Sequence, residues 1–328
     1  MLSKSKILVT GGSGFIGTNL IDFLLKSGHT NLINISRNPP RNPSHDNFWE
    51  KCNLLDVTNL KKIIREFSPT HVVHLAAKTG MDEKKISDFA ANIEGIENLL
   101  IAFKEAPSIQ RVIFTSTLLV CKVGYIPKND TDYNPNTLYG KSKVEGEKII
   151  RAKSNLPYAW SIIRPISIWG PWFDEPYINI FKTINQNRYL HIGSGHYRRS
   201  LGYIENSVYE IYQLLTAPKE KINKKTFYLA DYQPVDLYDM ANMIRNFLKT
   251  RKIVRVPLWV AKLLAKIGDA LKLLGWHSVP FSSFRLNNIC TEYIFDMTPL
   301  KNLAGPLPYD LKTGIKRTII WMRESAKL

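Results

Sequence analysis

The sequence predicts an α/β protein with a doubly wound parallel sheet, followed by a smaller C-terminal domain. Three observations support this class. Short apolar runs alternate with helical patterns over residues 1–170, the composition changes beyond Pro171, and 44% of the 328 residues are hydrophobic, enough to bury a large core. We therefore predict a first domain over residues 1–170, joined by a returning strand near 226–231, and a second domain over 171–328.

The first element is a short strand that leads into a glycine-rich turn and a helix. Ile7–Val9 form an apolar run suited to a strand buried on both faces. Gly11, Gly14 and Gly17 follow at intervals of three, and a helical pattern begins at Phe15. Glycines let the backbone approach a pyrophosphate, and a helix N-terminus offers N–H groups and a positive dipole end. The stretch therefore predicts a dinucleotide site.

The second strand, Asn31–Ile35, bears on which dinucleotide binds. An acidic residue about twenty positions past the glycines commonly binds the adenosine ribose of NAD, but no Asp or Glu stands there. Ser36 and Arg37 instead offer a hydroxyl and a guanidinium, which suit a 2′-phosphate. We therefore predict NADP(H) in preference to NAD(H). The alternative is an ordinary solvated arginine, with NAD bound less selectively.

The remaining elements continue the alternation. Further strands are predicted over Trp49–Leu54, His71–Ala77, Arg111–Thr117 and Ala159–Arg164. Helices are predicted over Leu60–Phe67, Asp88–Ala106, Leu138–Ala152, Asp236–Lys249 and Pro257–Leu274. Ligands of such sheets bind at the carboxyl ends of the strands. Ala76 and Ala77 are small enough to admit a ligand there, and Asn53 and Leu54 end the third strand, where the adenine would lie.

A tyrosine and a lysine four residues apart carry the candidate chemistry. Tyr139 and Lys143 belong to a predicted helix, and their spacing places them on one face, one turn apart. A nearby positive charge favours the phenolate, so we predict that Lys143 draws the pKa of Tyr139 toward neutrality. Thr117, at the end of the fifth strand, would hold the reacting oxygen and stabilise charge that develops on it.

The charge balance and the cysteines argue against several kinds of site. The chain has 45 Lys and Arg against 28 Asp and Glu, a formal net charge of +17. The basic residues are scattered and lack the interleaved aromatics of a nucleic-acid surface, so we expect no nucleic-acid partner. Three widely spaced cysteines and the lack of an HExxH pattern predict no disulfide framework and no metal. No signal peptide or membrane span is visible, which predicts a cytoplasmic protein.

The segment 257–275 is both basic and amphipathic. This pattern is typical of a helix that lies in a membrane interface. A helix whose apolar face packs inside a domain has the same pattern. We favour packing and expect no contact with a membrane surface.

Several motifs stand at fixed places in the chain: Thr10–Gly17, His74–Ala77, Asn92, the strand ending at Thr117, Tyr139 with Lys143, and Arg164-Pro165 before Gly170-Pro171. Together they resemble the extended short-chain dehydrogenase/reductase family, in particular its NAD-dependent epimerase/dehydratase group, which acts mainly on nucleotide sugars. The resemblance is strong over residues 6–171 and looser beyond. It implies a Rossmann-type fold with a C-terminal substrate domain. It also implies a homodimer formed through the helices assigned to 88–106 and 139–152.

The resemblance further implies roles for individual residues. Thr117, Tyr139 and Lys143 form the catalytic triad, with Thr in the place more often held by Ser. Arg199 would reach the nucleotide diphosphate, and Ser167 stands where an Asn often contacts the substrate phosphate. Combining the resemblance with the strand ends, we predict these cofactor-binding residues: Gly11, Gly14, Phe15, Ile16, Gly17, Ser36, Arg37, Asn53, Leu54, Leu75, Ala76, Ala77, Asn92, Tyr139, Lys143 and Pro165.

The reaction implied is hydride transfer at a sugar ring carbon, C4 in our prediction, by an NAD(P)-dependent nucleotide-sugar epimerase. Leu118 and Leu119 occupy the places where the family's 4,6-dehydratases carry an Asp-Glu pair, so we do not expect dehydration. One alternative is an NADPH-dependent reductase of a 4-keto nucleotide sugar or of a hydrophobic ketone. An alternative of another class is a dinucleotide-binding sensor or scaffold without turnover, although such proteins commonly lose the tyrosine or lysine that this chain retains.

Overall fold

The computed structural model describes residues 5–80, 83–153, 155–193, 197–276 and 281–328. The chain divides into two units. Unit 1 comprises Met1–Ile168, Gly202–Tyr232 and Asp296–Tyr309, and unit 2 comprises Trp169–Leu201, Gln233–Phe295 and Asp310–Leu328. The predicted division at residue 170 differs from this one, because two later segments of the chain return to unit 1.

The strands are β1 (Ile7–Thr10), β2 (Leu32–Ser36), β3 (Trp49–Lys51), β4 (His71–His74), β5 (Arg111–Thr115), β6 (Ala159–Pro165), β7 (Ile168–Trp169), β8 (Leu190–Ile192), β9 (Arg198–Arg199), β10 (Gly202–Tyr203), β11 (Lys225–Leu229), β12 (Val235–Asp236) and β13 (Val254–Val256). The α-helices are α1 (Phe15–Lys26), α2 (Val57–Phe67), α3 (Ala90–Ala102), α4 (Leu138–Ala152), α5 (Ile178–Asn185), α6 (Ile204–Thr216), α7 (Lys219–Ile222), α8 (Leu237–Leu248), α9 (Leu258–Leu273), α10 (Ser283–Cys290), α11 (Thr298–Ala304) and α12 (Leu311–Glu324).

Seven strands of unit 1 form one parallel sheet in the order β11-β6-β5-β4-β1-β2-β3. Central strands such as β1 are buried along their whole length, which explains their continuous apolar runs. The order reverses at β1, where Ile7 pairs with Leu32 of β2 on one side and with His71 of β4 on the other. The carboxyl ends of β1 and β4 therefore border the crevice where open α/β sheets bind ligands. The predicted α/β class with a Rossmann-type sheet is confirmed.

Helices pack against this sheet in two groups. α3 packs against α2 and α4, above a buried cluster that includes Leu60, Ile96 and Phe114. α6 packs against α1 and β5, and α11 packs against α6 and β11. The second group explains why two late segments of the chain belong to unit 1.

Several elements differ in extent from their predictions. The strand predicted over Arg111–Thr117 ends at Thr115, because Thr117 caps a 3-10 turn and its side chain accepts a hydrogen bond from the Leu119 N–H. The strands predicted to end at Leu54 and Ala77 end at Lys51 and His74. The helix predicted over Asp88–Ala106 consists of α3 with a 3-10 turn at each end. The returning strand is β11, which pairs with β6.

Unit 2 contains short two-stranded ladders and helices. β8 pairs with β13 in parallel, and β9 pairs with β12 in the antiparallel sense. α8 packs against α5 and α12, and α10 packs against α9. A search of the described ranges finds no helix that is both long and apolar enough to cross a membrane.

Candidate active site

The turn between β1 and α1 has the close-packed backbone that a pyrophosphate site requires. Gly11 has a φ of 71°, and a Cβ atom there would lie 2.6 Å from the backbone of Ala76. A Cβ at Gly17 would lie 2.4 Å from the Gly11 carbonyl oxygen. α1 begins at Phe15, and its N-cap residue Gly14 provides no side-chain cap. A tight glycine turn before a helix N-terminus fits the diphosphate of a dinucleotide.

Polar groups meet where β1 and β4 end. Thr10 Oγ1 lies 2.7 Å from His74 Nδ1, and the Ala76 N–H donates to the same threonine oxygen at 3.2 Å. The threonine hydroxyl can then donate to Nδ1, which places the ring proton on Nε2, an atom without a hydrogen-bond partner in the described part of the chain. Burial, aided by the charge of Lys143, lowers the pKa of His74 to about 3. His74 is therefore a fixed neutral group.

The end of β2 carries the residues that bear on the choice of cofactor. Ser36 is buried, and its hydroxyl donates to the Asn38 carbonyl at 2.9 Å and lies 2.6 Å from the Ser13 hydroxyl. Arg37 is exposed. Because the Ser36 hydroxyl is already bonded within the protein, Arg37 is the more accessible of the two groups predicted to meet a 2′-phosphate.

The other predicted ligand-binding residues of this part of unit 1 lie at strand ends or just beyond them. Leu54 is buried in the core against Gly95 of α3, whereas Asn53 is exposed. Pro165 ends β6, and the buried Ser167 has a left-handed φ of 40°. The stretch that follows β4 is half-buried and contains Leu75, Ala76 and Ala77. The side chain of Leu54 faces the core, so only its backbone is suited to contact a ligand.

Gly140 explains how α4 comes close to the turn that follows Thr117. A Cβ at Gly140 would lie 2.2 Å from the carbonyl oxygen of Leu119. The helix can therefore take this position only with glycine at 140. The sequence motifs do not identify this residue, because its role depends on a neighbour twenty-one positions away. As a consequence, the preceding residue, Tyr139, is held beside Thr117.

Asn92 fixes the same helix from α3. Its Oδ1 accepts from the Lys78 N–H at 2.8 Å, and its Nδ2 donates to the Lys78 carbonyl and to Ser142 Oγ, each at 2.9 Å. Ser142 Oγ in turn donates to the Tyr139 carbonyl at 2.7 Å. Both ends of the Asn92 amide are engaged within the protein. Asn92 is predicted to bind the cofactor, but its hydrogen bonds support a role in positioning α4.

The side chain of Thr117 lies close enough to Tyr139 to lower the pKa of its phenol. Thr117 is buried, and the half-buried Tyr139 ring lies 6.2 Å from that of Phe89. Burial raises the pKa of Tyr139 to about 12, and the side chain of Thr117 opposes this rise only in part. The prediction that this pKa is drawn toward neutrality is wrong, because desolvation of the phenolate outweighs the favourable effect of Thr117.

Lys143 lies one turn along α4 from Tyr139 and is buried. Burial lowers its pKa to about 8, and the charge of Glu147 acts in the opposite direction. At neutral pH the side chain is therefore mainly an ammonium ion. The structure thus places Tyr139 against Thr117, with Lys143 on the same face of α4.

A buried ion pair supports α4, and the sequence motifs do not identify it. The Glu147 carboxylate accepts from Arg164 Nε at 2.9 Å and Nη2 at 2.7 Å, and the Tyr133 hydroxyl donates to it at 3.0 Å. Burial alone would raise the pKa of Glu147, but the hydrogen bonds and charge of Arg164 lower it overall. The spacing of residues is the one sequence signal that could have identified Glu147. Tyr139, Lys143 and Glu147 recur every four residues and therefore share one helical face.

Arg199, the predicted ligand of the diphosphate, lies in β9 of unit 2. Its guanidinium lies over the Tyr293 ring, 4.9 Å from the centroid. Its Nη2 donates to the carbonyls of Asn288, Ile289 and Thr291. Part of its hydrogen-bonding capacity is therefore used at the end of α10, and its role toward a substrate stays a prediction.

Comparison with proteins of known sequence identifies relatives along the chain. Residues 7–230 match the NAD dependent epimerase/dehydratase family. The N-acetyl-alpha-D-glucosaminyl-diphospho-ditrans,octacis-undecaprenol 4-epimerase of Escherichia coli O157:H7 is 24% identical over 335 residues, which cover 96% of this chain and 95% of that protein. The 3-beta-hydroxysteroid dehydrogenase of Mycolicibacterium neoaurum is 26% identical over 258 residues, which cover 73% of this chain and 69% of that protein.

Solved structures of other proteins have the same fold as this chain. The crystal structure of UDP-glucose 4-epimerase with UDP-glucose from Thermotoga maritima has a TM-score of 0.75 to this chain at 19% identity, covering 98% of this chain and 99% of that one. The family match covers most of the chain and includes the glycine turn, Thr117, Tyr139 and Lys143. The chain therefore belongs to the NAD-dependent epimerase/dehydratase family, and it is an enzyme of the extended short-chain dehydrogenase/reductase type.

Proposed function

We propose that this protein is a 4-epimerase that acts on a sugar joined to a nucleoside diphosphate. The observation that carries the proposal is the placement of the buried Thr117 beside Tyr139, with the buried Lys143 one turn away on α4. Hydride transfer at an alcohol carbon needs a group that exchanges the hydroxyl proton and a donor that holds the oxygen. The E. coli relative, whose name describes a 4-epimerase of a sugar joined through a diphosphate to undecaprenol, supports C4 as the position.

Each residue of the triad has a distinct task in this reaction. A nicotinamide cofactor held at the glycine turn would supply reversible hydride transfer at C4. Tyr139 takes the proton of the C4 hydroxyl and later gives it back, while Thr117 donates to the same oxygen. Lys143 favours the phenolate of Tyr139, against a burial that raises its pKa to about 12. Leu118 and Leu119 provide no acid or base for the elimination of water.

The preferred cofactor is a finer part of the same proposal. The family's description names NAD. The NADP(H) preference predicted from the sequence rests only on the exposed guanidinium of Arg37 at the end of β2. No other finding supports that preference. Titrating NAD and NADP onto the wild type and Arg37→Ala tests it. Tighter NADP binding that is lost in the variant supports the preference, and tighter NAD binding that the variant leaves unchanged refutes it.

The epimerase proposal is tested with UDP-sugars and catalytic amounts of NAD or NADP. Proton NMR follows the sugar, and absorbance follows the nicotinamide. Isomerised sugar without net cofactor change supports an epimerase. Bound cofactor without turnover of any sugar nucleotide or carbonyl compound indicates the sensor class instead.

A reductase is the second candidate, and one observation favours it. Leu118 and Leu119 follow Thr117 directly, and the matched steroid dehydrogenase is named for a hydrophobic substrate. The same absorbance assay separates the two enzymes. Stoichiometric loss of NADPH on a 4-keto sugar or on a hydrophobic ketone, without isomerised sugar, identifies the reductase.

The homodimer and the cytoplasmic location stay predictions. α3 and α4 pack against each other within the chain, and the family resemblance places a subunit contact on the same two helices. Sedimentation at micromolar concentration tests the dimer, and a purely monomeric species removes it from the proposal.

A further inference from the structure

The helix α9 in unit 2 buries three small residues and exposes most of its large apolar ones. Its buried positions are Ala261, Ala265 and Gly268. Trp259 is 71% exposed and Leu263 is 55% exposed. Packing within the domain, which the sequence favoured, therefore does not account for the large apolar residues of this helix.

Five of the exposed apolar positions form one continuous stripe. At about 100° per residue, these five fall within an arc of about 80° on the side opposite the buried alanines, and the exposed Leu264 and Leu273 flank the arc on either side. The stripe runs for about 22 Å and consists of Trp259, Leu263, Ile267, Ala270 and the C-cap residue Leu274. Trp276 and Phe284, on the neighbouring turn and on α10, are also exposed. Exposed patches of this kind mark interaction surfaces.

The charges around the stripe are almost all positive. Lys262 and Lys266 lie along one margin of the stripe, and both are exposed. The sequence from 249 to 276 contains seven basic residues and one acid, Asp269. The carboxylate of Asp269 accepts from the Ser283 N–H at 3.1 Å, at the start of α10. The surface therefore combines an apolar stripe with a positive margin.

We propose that α9 docks unit 2 onto an anionic phospholipid surface, with the helix lying in the plane of the interface. The apolar stripe enters the boundary between head groups and acyl chains, and Lys262 and Lys266 contact lipid phosphates. Trp259 suits this boundary, because its ring has an apolar body and a polar N–H. Docking against a second copy of the same face would bring these lysines together and is disfavoured by repulsion. This surface lies outside the triad and does not depend on the proposed function.

Flotation of the full chain with vesicles tests the proposal. We expect binding to vesicles of 70% phosphatidylcholine and 30% phosphatidylglycerol, and much weaker binding to pure phosphatidylcholine or in 0.5 M salt. The double variant Leu263→Gln and Ile267→Gln should bind at least about 100-fold more weakly, from the area of two large side chains. Lys262→Gln with Lys266→Gln should lose roughly 30-fold, at about 1 kcal/mol for each lysine.

The matched control is Leu190→Gln with Ile320→Gln, which removes two large apolar residues of unit 2 that are exposed to a similar extent outside α9. This control should bind like the wild type, and unchanged melting temperatures confirm that all variants fold. Absence of binding to anionic vesicles overturns the proposal, as does equal binding by the α9 variants. A wild-type dimer that fails to bind vesicles and dissociates in the Leu263→Gln and Ile267→Gln variant would assign the stripe to a second copy.

Discussion

The helices α4 and α9 depart from the usual pattern of burial in opposite directions. α4 buries Ser142, Lys143 and Glu147, although Lys and Glu are almost never fully buried unless they are paired. α9 has nearly the same length but exposes Trp259 and Leu263, which would ordinarily belong to a core.

The two helices differ in where the partners of these unusually buried or exposed residues are found. For α4 these partners lie inside the chain. Arg164 pairs with Glu147, and the carboxylate charge of Glu147 favours the ammonium form of Lys143. For α9 nothing in the described ranges covers the stripe, so we look for its partner outside the chain. Both helices are amphipathic in sequence, and only their burial separates the helix that we assign to chemistry from the one that we assign to docking.

The largest expected effect tests whether α4 depends on its buried pair. Glu147→Ala leaves the Arg164 guanidinium buried without its carboxylate, which should cost about 3–5 kcal/mol of stability. Glu145→Ala on the same helix removes an exposed pair with Lys148 and should cost about 1 kcal/mol or less. Urea unfolding measures both. Equal losses would show that the buried pair does not distinguish this helix.

The second prediction concerns the chemistry that α4 carries. Tyr139→Phe should lower turnover by about 100-fold or more, the usual effect of losing a general acid–base. Tyr158→Phe is the matched control, because it removes a buried hydroxyl that has no partner in the described part of the chain. It should retain full activity. Full activity in Tyr139→Phe would refute the catalytic assignment, provided that both variants keep the wild-type melting temperature.

The charge of Lys143 predicts how activity depends on pH. Its pKa is lowered to about 8, so the ammonium is present below this pH and is lost above it. If that charge sustains Tyr139, kcat should fall above about pH 8, approaching tenfold per unit. Lys143→Arg should remove this decline, whatever its maximal rate, because arginine stays charged. Lys141→Arg, at an exposed position two residues earlier, should leave the profile unchanged.

Asp231, a half-buried acid of unit 1, extends the comparison to a carboxyl group for which the described ranges provide no ionic partner. Asp231 accepts from the Asn206 side chain at 3.0 Å, and burial raises its pKa from 3.8 to about 7. The folded state therefore binds this proton more tightly than the unfolded chain, and stability is lost as pH rises from 3.8 toward 7. The buried Glu210, whose pKa is raised by burial and by Asp231, adds in the same direction.

Asp231→Asn keeps an oxygen for Asn206 and removes the titration. The melting temperature of the variant should vary less between pH 4 and 7 than that of the wild type. An unchanged slope would assign the pH dependence to other groups.

The smallest expected effect is on the stability contribution of α9. Leu263→Ala should change the free energy of unfolding by no more than about 0.5 kcal/mol, because the side chain is exposed. Ile211→Ala, at a fully buried position of α6, should cost about 2–5 kcal/mol. A large loss in Leu263→Ala would place this residue in the core and remove the contrast between the helices.

The fold could be predicted because its signals are local. Ile7–Val9, the glycines after them and the helical pattern from Phe15 are adjacent in sequence, and handedness rules then restrict the order of the strands. The placement of Tyr139 and Lys143 on one face of α4 is also a local signal, because it depends only on the periodicity of one helix.

The rest depends on contacts between distant residues. The approach of Gly140 to Leu119 and the pair of Glu147 with Arg164 need the folded sheet before they exist. The raised pKa of Tyr139 follows from desolvation, which the neighbouring sequence does not report. The exposure of α9 could not be predicted either, because an amphipathic pattern does not say which face meets protein.

The Asn92 amide has a consequence for how this enzyme matures. It ties the backbone at Lys78 to Ser142 on α4, so one side chain joins segments that lie 14 and 50 positions away in the chain. While α3 has left the ribosome but α4 has not, the Asn92 amide lacks its hydrogen bond to Ser142. Because Tyr139 belongs to α4, its phenol gains Phe89 as a neighbour only when this helix has packed against the segment that contains Asn92.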